Sequence, residues 1–293
     1  MTAELIAPRR TIGARDFDFA RRAAVMAIVN RTPDSFFDRG ATFALDAAVT
    51  AALDAVAAGA DWVDVGGVPF SPDTPEVSVA EEIDRVVPIV EAVAARSDVV
   101  ISIDTARAEV AAAGLAAGAS VVNDTNGVRD PAMLELLAGS DASVIVTHSL
   151  AAPHVHHPRP RYDDVVTEVV TFLRDRVAAL VDGGIGPQRL FIDPGPDLNK
   201  NTRHTLALLR RFGEITAIGL PTLVAVSNKD FVGESLDRER DERLAGSLAA
   251  TTLAVAAGAR VVRTHHVPQT VDAVRMTEAV LGLREPAYLR HNT

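Results

Sequence analysis

From Ala23 onward the chain repeats one pattern: a short apolar run, a polar residue at its tip, then an often Ala-rich stretch with helical spacing. The apolar runs are Val25–Asn30, Trp62–Gly66, Val99–Asp104, Val121–Asp124, Val144–His148, Leu190–Asp193, Thr222–Ser227 and Val261–His265. Segments with helical spacing between them include Leu45–Ala58, Val79–Ala95, Arg107–Ala117, Tyr162–Val181 and Leu244–Ala257. Strands alternating with helices read as parallel βαβ units. Eight such units in one chain predict an α/β fold, the closed (β/α)8 TIM barrel. Ahead of them, Phe17 and Phe19 alternate with Asp16 and Asp18, the period of a half-buried strand, and Gly13 permits a tight turn. Thr11–Phe19 is therefore expected to form part of a short N-terminal β-hairpin that plugs the bottom of the barrel, with residues 1–22 as hairpin and tail. No linker or shift in composition divides the chain, so residues 1–293 are expected to be a single domain.

An internal repeat runs through this pattern. Ala57-Ala58-Gly59-Ala60, Ala116-Ala117-Gly118-Ala119 and Ala256-Ala257-Gly258-Ala259 each read as a helix end with a left-handed Gly cap. The residue five after each Gly is polar: Asp64, Asn123 and Arg263. Shared cap chemistry accounts for the glycines. It does not account for three different polar residues at one strand depth.

Composition narrows the picture further. Apolar residues make up 48% of 293, enough for a large core. The net charge of −10 argues against a nucleic-acid or anionic-membrane partner, though not against an anionic small ligand. Without cysteines there is neither a disulfide framework nor a thiolate metal site. No stretch has the length and apolarity of a secretion signal or a membrane span, so a soluble cytoplasmic protein is expected.

In a barrel of this kind, the chemistry sits at the C-terminal ends of the strands. Those ends carry Asn30, Asp64, Asp104, Asn123, Asp124, His148, Asp193, Lys229, Arg263 and His265. Polar groups are costly at the ends of buried strands unless something satisfies them. Asp104, Asn123 and Asp193 suit a flat hydrogen-bonding heterocycle, because a carboxylate accepts two parallel N–H bonds from an amino-pyrimidinone edge. Arg263 can stack on a ring face or hold an anion. Asn30, Arg263 and His265 lie on the adjoining first and eighth strands, placed to share one anion such as a phosphate leaving group.

Asn30–Phe36, Ile101-Ser102-Ile103-Asp104-Thr105, Val122-Asn123-Asp124, Ile192-Asp193-Pro194-Gly195, Ser227-Asn228-Lys229 and Arg263-Thr264-His265 resemble, in order, the motifs of dihydropteroate synthases. The likeness runs from about Thr11 to Val280. It implies a pterin-binding barrel that joins 6-hydroxymethyl-7,8-dihydropterin pyrophosphate to p-aminobenzoate in folate biosynthesis, releasing pyrophosphate with the help of Mg²⁺. Carried over by motif, Asp104, Asn123, Asp193, Lys229 and Arg263 would hold the pterin. Asn30 would meet the Mg²⁺, Arg263 and His265 would hold the pyrophosphate, and a homodimer is implied.

Three departures from the family pattern fall on the acceptor side. Gly-Gly-Glu-Ser-Thr-Arg-Pro is here Gly66-Gly67-Val68-Pro69-Phe70-Ser71-Pro72; Ser-Arg-Lys-Ser is Ser227-Asn228-Lys229-Asp230; and the Phe of Gly-Phe-Gly-Lys is Leu198, in Asp197-Leu198-Asn199-Lys200. The resemblance places Asp230 at a helix start that receives the carboxylate of p-aminobenzoate. There Asp230 is expected to cap the helix itself and meet the benzoate with like charge, uncompensated by Asn228. Weakened use of p-aminobenzoate follows, and the pattern resembles a divergent second-copy branch whose members are poor or inactive synthases. The alternative is a catalytically inactive pterin-binding paralogue, acting as a sensor or partner subunit.

Other chemistries fit less well. The His154-Val155-His156-His157 cluster reads as an exposed loop rather than a metal site, with no carboxylate before Asp163. A Schiff base on Lys229 is disfavoured by the neighbouring Asp230. A pterin-dependent methyl transferase would need a corrinoid partner, for which no docking surface is marked.

Overall fold

The computed structural model describes residues 4–31, 45–68, 76–151, 155 and 159–291. Two short strands, β1 (Arg9–Ile12) and β2 (Arg15–Asp18), pair antiparallel as the expected hairpin, starting two residues earlier than Thr11. Eight parallel strands follow: β3 (Ala24–Asn30), β4 (Trp62–Gly66), β5 (Val100–Asp104), β6 (Val121–Asp124), β7 (Ser143–Thr147), β8 (Leu190–Asp193), β9 (Thr222–Ala225) and β10 (Ala259–Thr264). They close into a barrel in the order β10-β3-β4-β5-β6-β7-β8-β9. Its surrounding helices are α1 (Leu45–Ala57), α2 (Val79–Ala94), α3 (Ala108–Ala116), α4 (Pro131–Ala138), α5 (Val165–Asp182), α6 (Thr202–Arg210), α7 (Phe212–Thr216), α8 (Asp230–Leu236), α9 (Leu244–Ala256) and α10 (Val267–Val280). None of the described helices is long and apolar enough to cross a membrane.

Side chains alternate between two environments along each strand. Met26, Trp62, Val100, Val121, Ile145, Phe191, Leu223 and Val261, one from each barrel strand, form a single interior layer. Their neighbours in sequence, such as Val25, Val122, Val144, Ile192, Val224 and Val262, face outward into the core shared with the helices. The outward residues of β4 and β5 do the same beneath α1 and α2. Gly59, Gly118 and Gly258 adopt φ of 97°, 116° and 108°, as the repeat predicts.

The hairpin packs against the floor of this interior. Ile12, Phe17 and Phe19 join the interior layer. Phe19 meets Phe191 edge-on at 5.4 Å, and Phe191 meets Trp62 edge-on at 5.3 Å. Backbone carbonyls at this end are bound by buried arginines: Arg10 Nη1 donates to Leu190 O (2.7 Å) and Arg260 Nε to Phe19 O (2.7 Å). The plugged floor leaves the opposite end, where the strands finish, as the mouth.

Phe19 is fully buried, so Phe19→Ala should cost about 3–5 kcal/mol. Urea unfolding of the variant checks this, and a loss below about 1 kcal/mol would show that the hairpin does not seal the core.

Candidate functional site

The same alternation that fills the floor with apolar groups places polar ones above it. Asp64, Ser102, Asn123, Thr147, Asp193 and Arg263 each stand two residues beyond a member of the interior layer, and so face inward. Asp64 is fully buried, and Arg263 and Asn123 both bind one of its oxygens. Arg263 Nε donates to Asp64 Oδ2 at 2.6 Å, and Asn123 Nδ2 donates to the same oxygen at 3.1 Å. The three polar positions of the internal repeat therefore meet at one atom. A second Arg263 nitrogen, Nη2, donates to Asp104 Oδ2 at 2.7 Å. Burial works against the guanidinium's charge, but Asp64 and Asp104 outweigh it and raise Arg263 above its ordinary value.

Asp104 is shifted upward by burial, against the pull of Arg263, and the carboxylates of Asp64 and Glu82 push the same way. Asp193 is also raised by burial, opposed by Lys229. Its Oδ1 accepts from Gly195 N at 2.7 Å. Its Oδ2, together with Asp104 Oδ1 and Asn123 Oδ1, accepts no hydrogen bond among the described residues. Deeper in the interior, the buried atoms Asp64 Oδ1, Ser102 Oγ and Thr147 Oγ1 have no hydrogen-bond partner among the described residues. An arrangement of acceptor oxygens beside two cations suits a flat ligand rich in N–H donors.

Lys229, half-buried at the start of α8, donates to Pro196 O, and burial lowers its pKa. The carboxylates that oppose this shift most are Asp197 and Asp193. The counter-charge expected from Asp230 is thus supplied chiefly by other residues. Asn30 closes β3, with its Oδ1 only 2.8 Å from where a Cβ on Gly66 would stand, so Gly66 leaves room for this amide. His265 lies at the other side of β3, with Nδ1 3.2 Å from Ser227 Oγ. Arg263, on the β10 strand that adjoins β3, is only partly available to an anion. Two of its nitrogens are committed to carboxylates, leaving Nη1 without a protein acceptor among the described residues.

Two of the strand-end residues are structural. Asp124 follows inward Asn123 and faces outward, where its oxygens accept from Asn126 N (2.7 Å) and Val128 N (3.0 Å). Burial pushes its pKa up to about 6. His148 packs edge-on against Phe172, and its Nδ1 lies 2.9 Å from Lys200 Nζ. Burial, reinforced by Lys200, holds His148 neutral with a pKa of about 2. Lys200 is itself lowered to about 7 by burial.

The acceptor side differs most from expectation. Asp230 is the first residue of α8 rather than its cap; the cap is Lys229, which makes no side-chain capping bond. The Asp230 side chain is 73% exposed and pairs with Arg243 Nη1 at 2.9 Å. The same Arg243 nitrogen donates to Asn228 O at 3.0 Å, so a cation from the start of α9 replaces the one missing at Asn228. Asn228 has a φ of 57°, and its side-chain amide meets His266 Nε2 at 3.1 Å. Asp197, unrecognised as a site residue from sequence, places Oδ2 3.4 Å from Phe231 N in the first turn of α8. Val68 follows β4, and Leu198 lies in the 194–200 loop over Gly195. Thr32–Phe36, Pro69–Ser71 and the histidines at 154, 156 and 157 lie outside the described residues.

Among the described residues, no group of three or more His, Asp or Glu side chains forms a metal cluster. Mg²⁺ commonly takes one or two protein oxygens and completes its shell with water and substrate phosphates. Asn30 Oδ1 at the mouth fits that limited role.

Residues 26–265 match the family model described as pterin binding enzyme. The "inactive dihydropteroate synthase 2" of Mycobacterium tuberculosis is 46% identical over 271 residues, covering 90% of this chain and 85% of that one. Dihydropteroate synthase of Escherichia coli is 40% identical over 261 residues, covering 89% and 93% respectively. A Xanthomonas albilineans dihydropteroate synthase solved with 4-aminobenzoic acid superposes with a TM-score of 0.86 at 38% identity, over 94% of this chain and 98% of that one. The same enzyme in complex with 7,8-dihydropteroate gives 0.84 at 38% identity, over 94% and 99%.

Arg263→Ala would leave two buried carboxylates facing each other without their cation, a loss of about 3–5 kcal/mol near pH 8. The folded pKa of Asp104 already lies above its unfolded value, and it rises further in the variant. Stability held at low pH is therefore lost as pH rises through the folded pKa, more steeply in the variant than in wild type. Urea unfolding should show a smaller deficit at pH 5 than at pH 8, and the reverse order would contradict this account of the pair.

Proposed function

The chain belongs to the family of pterin-binding enzymes, and within it we propose a dihydropteroate synthase-type transferase. The observation that carries this reading is the set of unused acceptor oxygens on Asp104, Asn123 and Asp193, flanked by Arg263 and Lys229. A pterin presents N–H donors along its amino-pyrimidinone edge, matching those oxygens, while Lys229 and Arg263 supply donors and a cationic face.

In the transfer, the C–O bond between the pterin methylene and pyrophosphate breaks, and its electron pair leaves with the pyrophosphate. The acceptor nitrogen bonds to the methylene carbon and gives up a proton. Asn30, His265 and the remaining Arg263 nitrogen are assigned to the leaving-group end, where preplaced donors stabilise developing negative charge. Mg²⁺ carried by the pyrophosphate would neutralise part of that charge, with Asn30 as its protein ligand. Asn228, Asp230, Val68 and Leu198 are assigned to the acceptor side. Family likeness supports a homodimer of single-domain chains working in the cytoplasm.

A second reading is favoured by the relative named inactive at 46% identity and by the altered acceptor side. On it, the chain binds the pterin without completing transfer and serves as a sensor or partner subunit. Pyrophosphate release from 6-hydroxymethyl-7,8-dihydropterin pyrophosphate in the presence of p-aminobenzoate separates the two readings. Steady turnover supports the transferase, whereas binding without release leaves the non-catalytic form.

Under both readings Asp193→Asn should weaken pterin binding about ten- to a hundred-fold, the effect of losing a charged acceptor. Calorimetric titration with the pterin pyrophosphate measures this, and unchanged affinity would remove Asp193 from the site.

A further inference from the structure

The 194–200 loop puts a carboxylate on the acceptor side that the family pattern lacks. Asp197 stands where that pattern has Gly, at a φ of 62°, and Asn199 stands at the second such position with a φ of 48°. These left-handed conformations cost glycine nothing, and Asp and Asn tolerate them better than other side chains. At 197 the exchange adds a carboxyl group, which burial shifts upward against the pull of Lys229 and which the fold holds firmly. Thr205 Oγ1 donates to Asp197 Oδ1 at 2.9 Å and accepts from Asp197 N at 3.1 Å. Oδ2 then faces Phe231 N at the start of α8, 3.4 Å away.

The cations nearby are already engaged. Lys229 lies between Asp193 and Asp197 in electrostatic terms, and Arg243 is paired with Asp230 at 2.9 Å. Asp193 and Asp197 share Lys229 and the buried Lys200, Arg243 serves Asp230, and the side chain of Asn228 is turned to His266. An incoming carboxylate would add a further negative charge without an unspent partner.

We propose that Asp197 is a specificity-determining residue: its carboxylate occupies the start of α8 in place of an acceptor's own, so the site admits an uncharged or cationic arylamine in preference to a benzoate. This rests on the reading of Asn228–Asp230 as the acceptor side, and it moves the discriminating charge from exposed Asp230 to partly buried Asp197.

The test compares p-aminobenzoate with its neutral amide, p-aminobenzamide, titrated into the full chain loaded with a pterin, pyrophosphate and Mg²⁺. Wild type should bind the amide about ten-fold more tightly than the acid. Asp197→Asn keeps the shape and removes the charge, while Asp197→Gly removes the side chain where a left-handed backbone suits glycine. Both should shift the acid-to-amide affinity ratio about ten-fold toward the acid. A wild-type preference for the acid, or a ratio unmoved by Asp197→Asn, overturns the inference while pterin binding persists. Failure of wild type to bind pterin at all overturns the functional reading itself.

Discussion

A fully buried carboxylate inside a barrel is unstable unless strands from different parts of the chain bring it partners. Asp64 draws Arg263 from β10 and Asn123 from β6 to the same oxygen, and Arg263 carries the link on to Asp104 of β5. Buried ion pairs add little net stability compared with apolar packing, but removing one partner is expensive. A one-residue slip of any contributing strand would turn its polar side chain outward and leave the others unpaired. The cluster also sets the charge of the mouth. With Arg263 shared between two carboxylates, the oxygens on Asp104, Asn123 and Asp193 face a ligand from a fixed frame.

The fold was legible because apolar runs and helical stretches alternate so regularly, and the repeat led to Asp64, Asn123 and Arg263 without knowledge of their contacts. Asp124 and His148 stand apart from the inward groups of the mouth for a shared reason. Each follows an inward polar residue by one position, and strand parity turns it away from the mouth. Ser102 and Thr147 could have been found by the same parity, counting back two from Asp104 and one from His148. Arg243 carried no local signal, because its contact with Asn228 and Asp230 crosses the stretch between α8 and α9. Asp197 was visible as a replaced glycine, but its backbone conformation and its approach to α8 were not.

The two sides of the mouth rest on different kinds of structure. Asp104, Asn123, Asp193 and Arg263 sit on barrel strands, where neighbours on both sides fix their height, while Lys229 stands at the start of α8. On the acceptor side, Asp197, Leu198, Asn228 and Asp230 come from loops or the first turn of a short helix. Loop residues change with less disturbance to the core.

The floor hairpin bears on how the chain is made. Phe19 is synthesised early, yet its carbonyl is bound by Arg260, 241 residues later. At ribosomal speeds of about 5–20 residues per second, that interval lasts roughly 12–48 s. Throughout it, the aromatic residues of the hairpin can rest only against the strands already emerged, with the ring of strands still open. Completion of the barrel and seating of its floor are therefore late, joint events, and the nascent chain carries exposed apolar surface until β10 arrives.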